Sequence, residues 1–312
     1  MKNHSDVINK GAPQIGRAFF MRGSALGRVA LCAMVLAVAM AGSGAADNNI
    51  GHAPSPAVLA RSSAEVLPVM AEADVVFLGE VHDNPAHHQV QAELIAQLRP
   101  QAVVWEMITM EQSQRLTPAL LRDAAALAEI LDWAQSGWPD FALYQPVFSA
   151  SSDAAQFGAL VPRADTRRAM EIGVAAFFGV EAARYGLTDP LPEAQQSQRE
   201  ADQLANHCNA MPPEMLPVLV NLQRLRDAAL ARAVVIAMQQ PDYDRSKGPV
   251  VVITGNGHAR LDRGAPVALR LARPDLRIAA LGQSEDSQIA GVFDVVLDAV
   301  AIHRPDPCLA FQ

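Results

Sequence analysis

Aromatic side chains are scarce in this chain. Phe, Trp and Tyr make up 5% of its 312 residues, and only 3 of those residues are tyrosine. Positive charge is in deficit too: 25 Lys and Arg stand against 33 Asp and Glu, a formal net charge of -8. Nucleic-acid binding draws on a basic face and stacking rings, so both shortages argue against it. Cysteine is also rare, with 3 in the chain, too few for a disulfide-built scaffold. The apolar run Val29 to Met40 is about 12 residues, short of the roughly 20 that a spanning helix needs.

That short run has a better reading. Arg22 and Arg28 supply a positive flank, and the small residues Ala41 to Ala46 follow. This is the layout of a secretory signal peptide with cleavage near Ala45 or Ala46, so residues 1–46 are expected to be a leader, with Met21 as an alternative start. Cys32 lies inside the apolar run, where a lipid-bearing cysteine would come after it, and a lipid anchor is not supported. The expected location is periplasmic or secreted. Export leaves Cys208 and Cys308, which can pair or remain inert thiols, since spacing alone gives no distance. Residues 47–61, rich in Asn, Pro and Ala, read as a linker. Residues 62–312 read as one α/β domain.

What the chain does have is a set of apolar strands that end in chemistry. The strand at 74–79 stops at Gly79 and delivers Glu80 and His82, followed by Asp83-Asn84-Pro85 and the pair His87-His88. Three of the 8 histidines therefore fall within seven positions. Asp83-Asn84-Pro85 fits an N-cap with proline at the first helical position, and the amides of that helix start could hold an anion. Val90, Leu94, Ile95 and Leu98 repeat at helical spacing over 86–98. Ala102 to Trp105 is the next strand, with Glu106 at its end. The order strand, helix, strand predicts a βαβ unit with parallel neighbours.

Further strands are expected at 157–161, 249–254, 277–281 and 294–297. The segment 165–240 reads as an inserted helical section. The fold class is α/β: a mostly parallel central sheet flanked by helices, with an inserted helical subdomain.

In an open α/β sheet, ligands bind at the carboxyl ends of the strands. Glu80, Glu106 and His258 each follow a strand, and His82 and His88 come from the same rim. Such a cluster suits acid–base catalysis by Glu80, His82, Glu106 and His258. It equally suits a divalent metal held by Glu80, His82, His88 and His258. His87, next to His88 on a helix, is expected to face solvent. Gly255 and Gly257 are expected to turn the backbone tightly ahead of His258. Arg163 could neutralise an acidic ligand group or lie idle at the surface. Of the adjacent pair Arg226-Asp227, one member could point to the rim. Trp138, Tyr144 and Phe148 are read as packing.

The run Gly79 to His88 resembles the opening motif of the ChaN family of haem-binding uptake proteins. Trp105-Glu106-Met107, the segment Trp133 to Phe148, Leu225-Arg226-Asp227 and the run Ile253 to Arg260 extend the resemblance in the same order over about residues 62–275. It implies an α/β core with a helical part, export, and a role in haem or iron uptake. It also implies kinship with a superfamily that includes erythromycin esterases and the Tiki metalloproteases. From the family, a tyrosine between two subunits is an implied haem ligand, with Tyr144 and Tyr185 as the candidates. A homodimer and an outer-membrane uptake partner are implied with it. Two functions follow as expectations: a haem carrier, or a hydrolase of an ester or amide that works through the Glu/His cluster.

Overall fold

Two stretches of chain, Val75–Glu80 and Val250–Gly255, are buried at every position. Strands covered on both faces read as continuous apolar runs of this kind, and they occur at the centre of parallel sheets. The computed structural model describes residues 57–306 and 308–309. The leader expected over 1–46, and most of the linker, lie outside the described residues.

The strands are β1 (Val58–Ala60), β2 (Val75–Glu80), β3 (Ala102–Trp105), β4 (Ala155–Gly158), β5 (Val250–Gly255), β6 (Ile278–Glu285) and β7 (Val295–Ala299). They form one sheet in the order β1-β7-β6-β2-β5-β3-β4, and every pairing is parallel. The helices are α1 (Ser63–Ala71), α2 (Pro85–Leu98), α3 (Met110–Ser113), α4 (Pro118–Arg122), α5 (Ala124–Ile130), α6 (Trp133–Ser136) and α7 (Phe141–Ala150). After β4 come α8 (Arg163–Ile172), α9 (Val174–Phe178), α10 (Glu193–Asn206) and α11 (Leu216–Met238), then α12 (Asn256–Ala259) and α13 (Ala265–Ala272) after β5.

Side-chain alternation along the strands divides the core in two. Phe77, Val104 and Val252 point to one face, where Leu225, Ala228 and Val234 of α11 and Leu269 of α13 cover them. Leu78, Val103, Trp105 and Ile253 point to the other, under Leu94 and Ile95 of α2 and Val147 and Phe148 of α7. The α/β expectation holds, and the sheet is wholly parallel.

One detail differs from the sequence reading. β2 and β3 are not neighbours, because β5 lies between them and pairs with both. Its run of β-branched residues is buried throughout, and the centre of the sheet is where such apolar area is best covered. The helical stretch 165–240 covers one face of the sheet, where α11 buries its apolar side.

The chain after β7 runs back over the carboxyl edge of the sheet. Asn84 donates to the Val300 carbonyl at 3.1 Å, and Arg304 grips both Asp83 and Glu285 at 2.6–2.7 Å. Cys308 then closes a disulfide with Cys208, whose Cα is 5.4 Å away. A bond spanning 100 residues restricts the unfolded chain substantially. Replacing Cys208 by Ser should cost about 2–4 kcal/mol of unfolding free energy in urea titrations. A midpoint unchanged from wild type would show that this link constrains nothing.

Candidate functional site

The register of three central strands assembles the site. Glu80, the last residue of β2, pairs with Gly255 of β5, and the Glu106 amide donates to the Ile253 carbonyl at 3.1 Å. Two carboxylates therefore flank one glycine at the carboxyl edge of the sheet. A Cβ on Gly255 would come within 2.9 Å of His82 Nε2. The backbone of Gly255 has φ -63° and that of Gly257 is helical, so neither residue serves a left-handed turn. The chain turns at once from β5 into α12 at this point, and Gly255 also leaves the room that the imidazole needs.

On one side of Gly255, Glu80 is fully enclosed. His82 Nδ1 lies 2.7 Å from Glu80 Oε1, Tyr144 donates its hydroxyl to the same oxygen at 2.9 Å, and Gln91 donates to Oε2 at 2.7 Å. His88 is near, with Nδ1 3.6 Å from Glu80 Oε2, but its Nε2 is engaged with the His82 carbonyl at 2.9 Å. Burial works against a charged Glu80, yet the His82 hydrogen bond and charge, with Gln91, hold its carboxyl below the usual range. Burial likewise opposes charging of His82. The Glu80 hydrogen bond and the Glu106 charge outweigh it and push the imidazole up to about 9.

Across Gly255, Glu106 Oε2 accepts from the Thr254 hydroxyl at 2.6 Å and the Gly255 amide at 2.8 Å. Its other oxygen faces His258 Nε2 at 3.6 Å. His258 Nδ1 lies 2.6 Å from Asp227 Oδ1. Burial would neutralise His258, but the carboxylates on either side raise its pKa. Burial also raises that of Asp227.

Sequence reasoning missed Asp227 as the partner of His258, although Leu225-Arg226-Asp227 was in view. Adjacent helical residues diverge by about 100°. Asp227 can thus turn inward to His258 while Arg226 lines a cavity beside it.

That cavity has a volume of about 740 Å³ and opens at this edge. Glu106, His258, Trp138 and Arg163 line it, with Leu160 and Leu230 as apolar wall. Trp138 also meets the His82 ring edge-on at 4.9 Å between centroids, and donates its indole N–H to the Met107 carbonyl. Of the three residues read as packing, Phe148 alone is purely that, stacked on Trp105.

Other expectations are revised. His87 is buried rather than solvent-facing: its Nδ1 accepts from the Val81 amide at 2.9 Å, and burial keeps the ring neutral. At the start of α2, the Asn84 side chain caps the Ala86 amide, and Asp83 is bound by Arg304. The helix N-terminus is thus already supplied with acceptors and does not take an outside anion. Tyr144 is fully buried with its hydroxyl on Glu80, and both burial and that negative charge make the phenol harder to ionise. Tyr185 is buried against Phe178, and its hydroxyl has no partner among the described residues. Neither phenol reaches the cavity.

The metal set Glu80, His82, His88 and His258 is divided between the two sides of Gly255. Among the described residues, no group of three or more His, Cys, Asp or Glu is arranged to hold a metal ion.

A family model described as haem-binding uptake, Tiki superfamily, ChaN matches residues 66–269. The chain belongs to the ChaN family. Among solved structures it is similar to ChaN of Campylobacter jejuni, described in terms of cofacial haem binding. The identity is 19% and the TM-score 0.56, over 75% of this chain and 90% of that one. The type III effector HopBA1 is more distant, at 12% identity and TM-score 0.43 over 81% and 99% of the two chains. A succinoglycan biosynthesis protein follows at 12% and 0.40, over 71% and 68%. No functionally curated protein matches.

The raised pKa of His82 has a sign that can be tested. A folded-state pKa above the unfolded one contributes stability in full below about 6.5, and that contribution is lost as pH rises through about 9. The wild type should therefore lose stability between pH 7 and pH 10 in urea titrations. In Glu80→Gln the loss over the same interval should be smaller. Equal pH slopes in the two proteins would separate His82 from Glu80 energetically.

Proposed function

We propose that this protein binds haem in the cavity of about 740 Å³ at the carboxyl edge of the sheet, and serves haem or iron uptake as an exported carrier. The observation that carries the reading is membership of the ChaN family together with a cavity of suitable chemistry at the family's motif residues. Ligand sites of this size join apolar walls to a few placed polar groups. Here Trp138, Leu160 and Leu230 would bear the porphyrin face, and Arg163 would meet an acidic edge.

The fit is good for the ring and poor for the implied tyrosine. Tyr144 is committed to Glu80, and Tyr185 is buried elsewhere, so no iron ligation is assigned to either. His258 is the imidazole in the cavity wall, its far nitrogen anchored by Asp227. A carboxylate behind an imidazole is the usual way to orient a histidine ligand and raise its basicity. Bound haem would supply an iron centre for which this chain offers His258. Its other residues hold and orient the ring.

The Cys208–Cys308 bond suits an oxidising compartment and supports export. Among the described residues, no helix is long and apolar enough to cross a membrane. In this reading a second copy of the chain shares the ligand, and an outer-membrane transporter is the partner in uptake.

One observation favours a second reading. Glu106 keeps an oxygen free of Thr254 and Gly255, facing His258 Nε2 across 3.6 Å with Asp227 behind. A carboxylate and an imidazole in a cavity wall can serve as base and acid for hydrolysis of an ester or amide. There Glu80 would fix His82, and His258 together with His82 would favour the ionised form of Glu106.

Haemin added to the purified protein should give a saturable, shifted Soret band. His258→Ala should alter that spectrum or weaken binding by at least about tenfold, while Tyr144→Phe should leave it near wild type. A wild type with no saturable band, but with esterase turnover abolished by Glu106→Gln, would transfer the assignment to the hydrolase.

A further inference from the structure

Three arginines converge on the cavity: Arg163 and Arg167 from α8, and Arg226 from α11. Among the described residues none of them takes part in a salt bridge or donates a side-chain hydrogen bond. Elsewhere Arg304, Arg260 and Arg273 each hold a carboxylate within 2.8 Å. Arg99, Arg199 and Arg232 also lack such partners among the described residues, and what distinguishes Arg163, Arg167 and Arg226 is that all three line one cavity.

Their placement is ordered. Arg163 and Arg167 are four residues apart and share a face of α8, and α11 packs against α8 and brings Arg226 to the same cavity. The turn at Gly137, at φ +83°, passes close enough that a Cβ there would sit 3.3 Å from Arg163 Nη2. Arg163 and Arg167 are exposed at the mouth of the cavity and Arg226 is half-buried, so water is what a ligand would displace from them. Asp165, in the same helical turn, lines a neighbouring cavity instead. Glu106 is the carboxylate of this cavity, and it is taken up by Thr254, Gly255 and His258.

We propose that Arg163, Arg167 and Arg226 form a carboxylate subsite that grips the acid groups of a flat apolar ligand lying on Trp138, Leu160 and Leu230. The identification of that ligand as a porphyrin rests on the haem reading; the subsite itself does not. Guanidinium forks match carboxylates in two-point contacts, so the acid edge of the ligand sets its orientation. The opposite edge then faces Glu106 and His258. An otherwise identical ligand with its acids esterified would forgo these charge-assisted contacts and bind more weakly.

The test uses iron-free protoporphyrin IX and its dimethyl ester, followed by fluorescence with the whole protein. Wild type should bind the diacid at least about tenfold more tightly than the ester. The double variant Arg163→Gln/Arg167→Gln, and separately Arg226→Gln, should each lose about tenfold in diacid affinity with ester affinity unchanged. Lysine at the same positions should restore part of the loss, and circular dichroism verifies that each variant is folded. Equal binding of diacid and ester by wild type, or wild-type diacid affinity in the glutamine variants, overturns the subsite.

Haemin separates this inference from the function it deepens. If wild type and glutamine variants bind haemin alike, the subsite is lost and the haem reading stands. If wild type binds neither haemin nor protoporphyrin, the haem reading is lost, and the flat sulfonate 8-anilinonaphthalene-1-sulfonate decides the subsite alone. One-to-one dye binding that the glutamine substitutions abolish supports it; binding that survives them, or none in wild type, rejects it.

Discussion

A charged carboxylate taken out of water is tolerated only when opposite charge and hydrogen bonds replace its hydration. This protein does that three times within one small region. Glu80, Glu106 and Asp227 are all at or below 9% exposure, and each is met by an imidazole. The imidazoles are not interchangeable. His82 serves Glu80, while His258 stands between Glu106 and Asp227. Everything proposed for the cavity depends on this arrangement, because it leaves one carboxylate oxygen and one imidazole nitrogen in the cavity wall.

The sheet makes the arrangement affordable. β5 pairs with β2 on one side and β3 on the other, so residues separated by as many as 175 positions between Glu80 and Gly255 come into register. Parallel strands share one carboxyl edge, which is why every strand-end residue appears at the same rim. Helix α11 completes the site from the layer above, sending Asp227 inward and Arg226 to the cavity. The returning C-terminal segment secures the loop that carries His82, through Arg304 on Asp83.

Much of this was legible in the chain. Apolar runs ended by Gly79-Glu80, Trp105-Glu106 and Thr254-Gly255 announce strands whose ends reach the rim where an open α/β sheet places its ligands. Less legible was anything that depends on which strands are neighbours. A βαβ pattern suggests that β2 and β3 touch, and nothing local reveals that β5 enters between them. Adjacency to His88 points His87 toward solvent in the sequence, whereas the first turn of α2 is enclosed on both sides by the loop and β6. The partners of Tyr144 and Asp227 were hidden for the same reason: hydrogen bonds over 64 and 31 positions leave no periodic trace. Arg163 could be suspected as a lone cation, but its companions Arg167 and Arg226 acquire meaning only when α8 and α11 meet.

The relation to the ChaN family is close in architecture and divergent in detail. The motif residues occupy the rim, yet the phenols that the family resemblance would offer to iron are withdrawn into the protein. The chain presents two buried carboxylate–histidine pairs and, among the described residues, three arginines without a salt bridge at the same edge. The central claim, that buried carboxylates raise the proton affinity of His82 and His258 while burial lowers that of His87, is open to direct measurement. A ring nitrogen-15 NMR titration of the folded protein should place the midpoints of His82 and His258 above the ordinary histidine value of about 6.5, and that of His87 below it. Midpoints for His82 and His258 at or below that value would contradict the account.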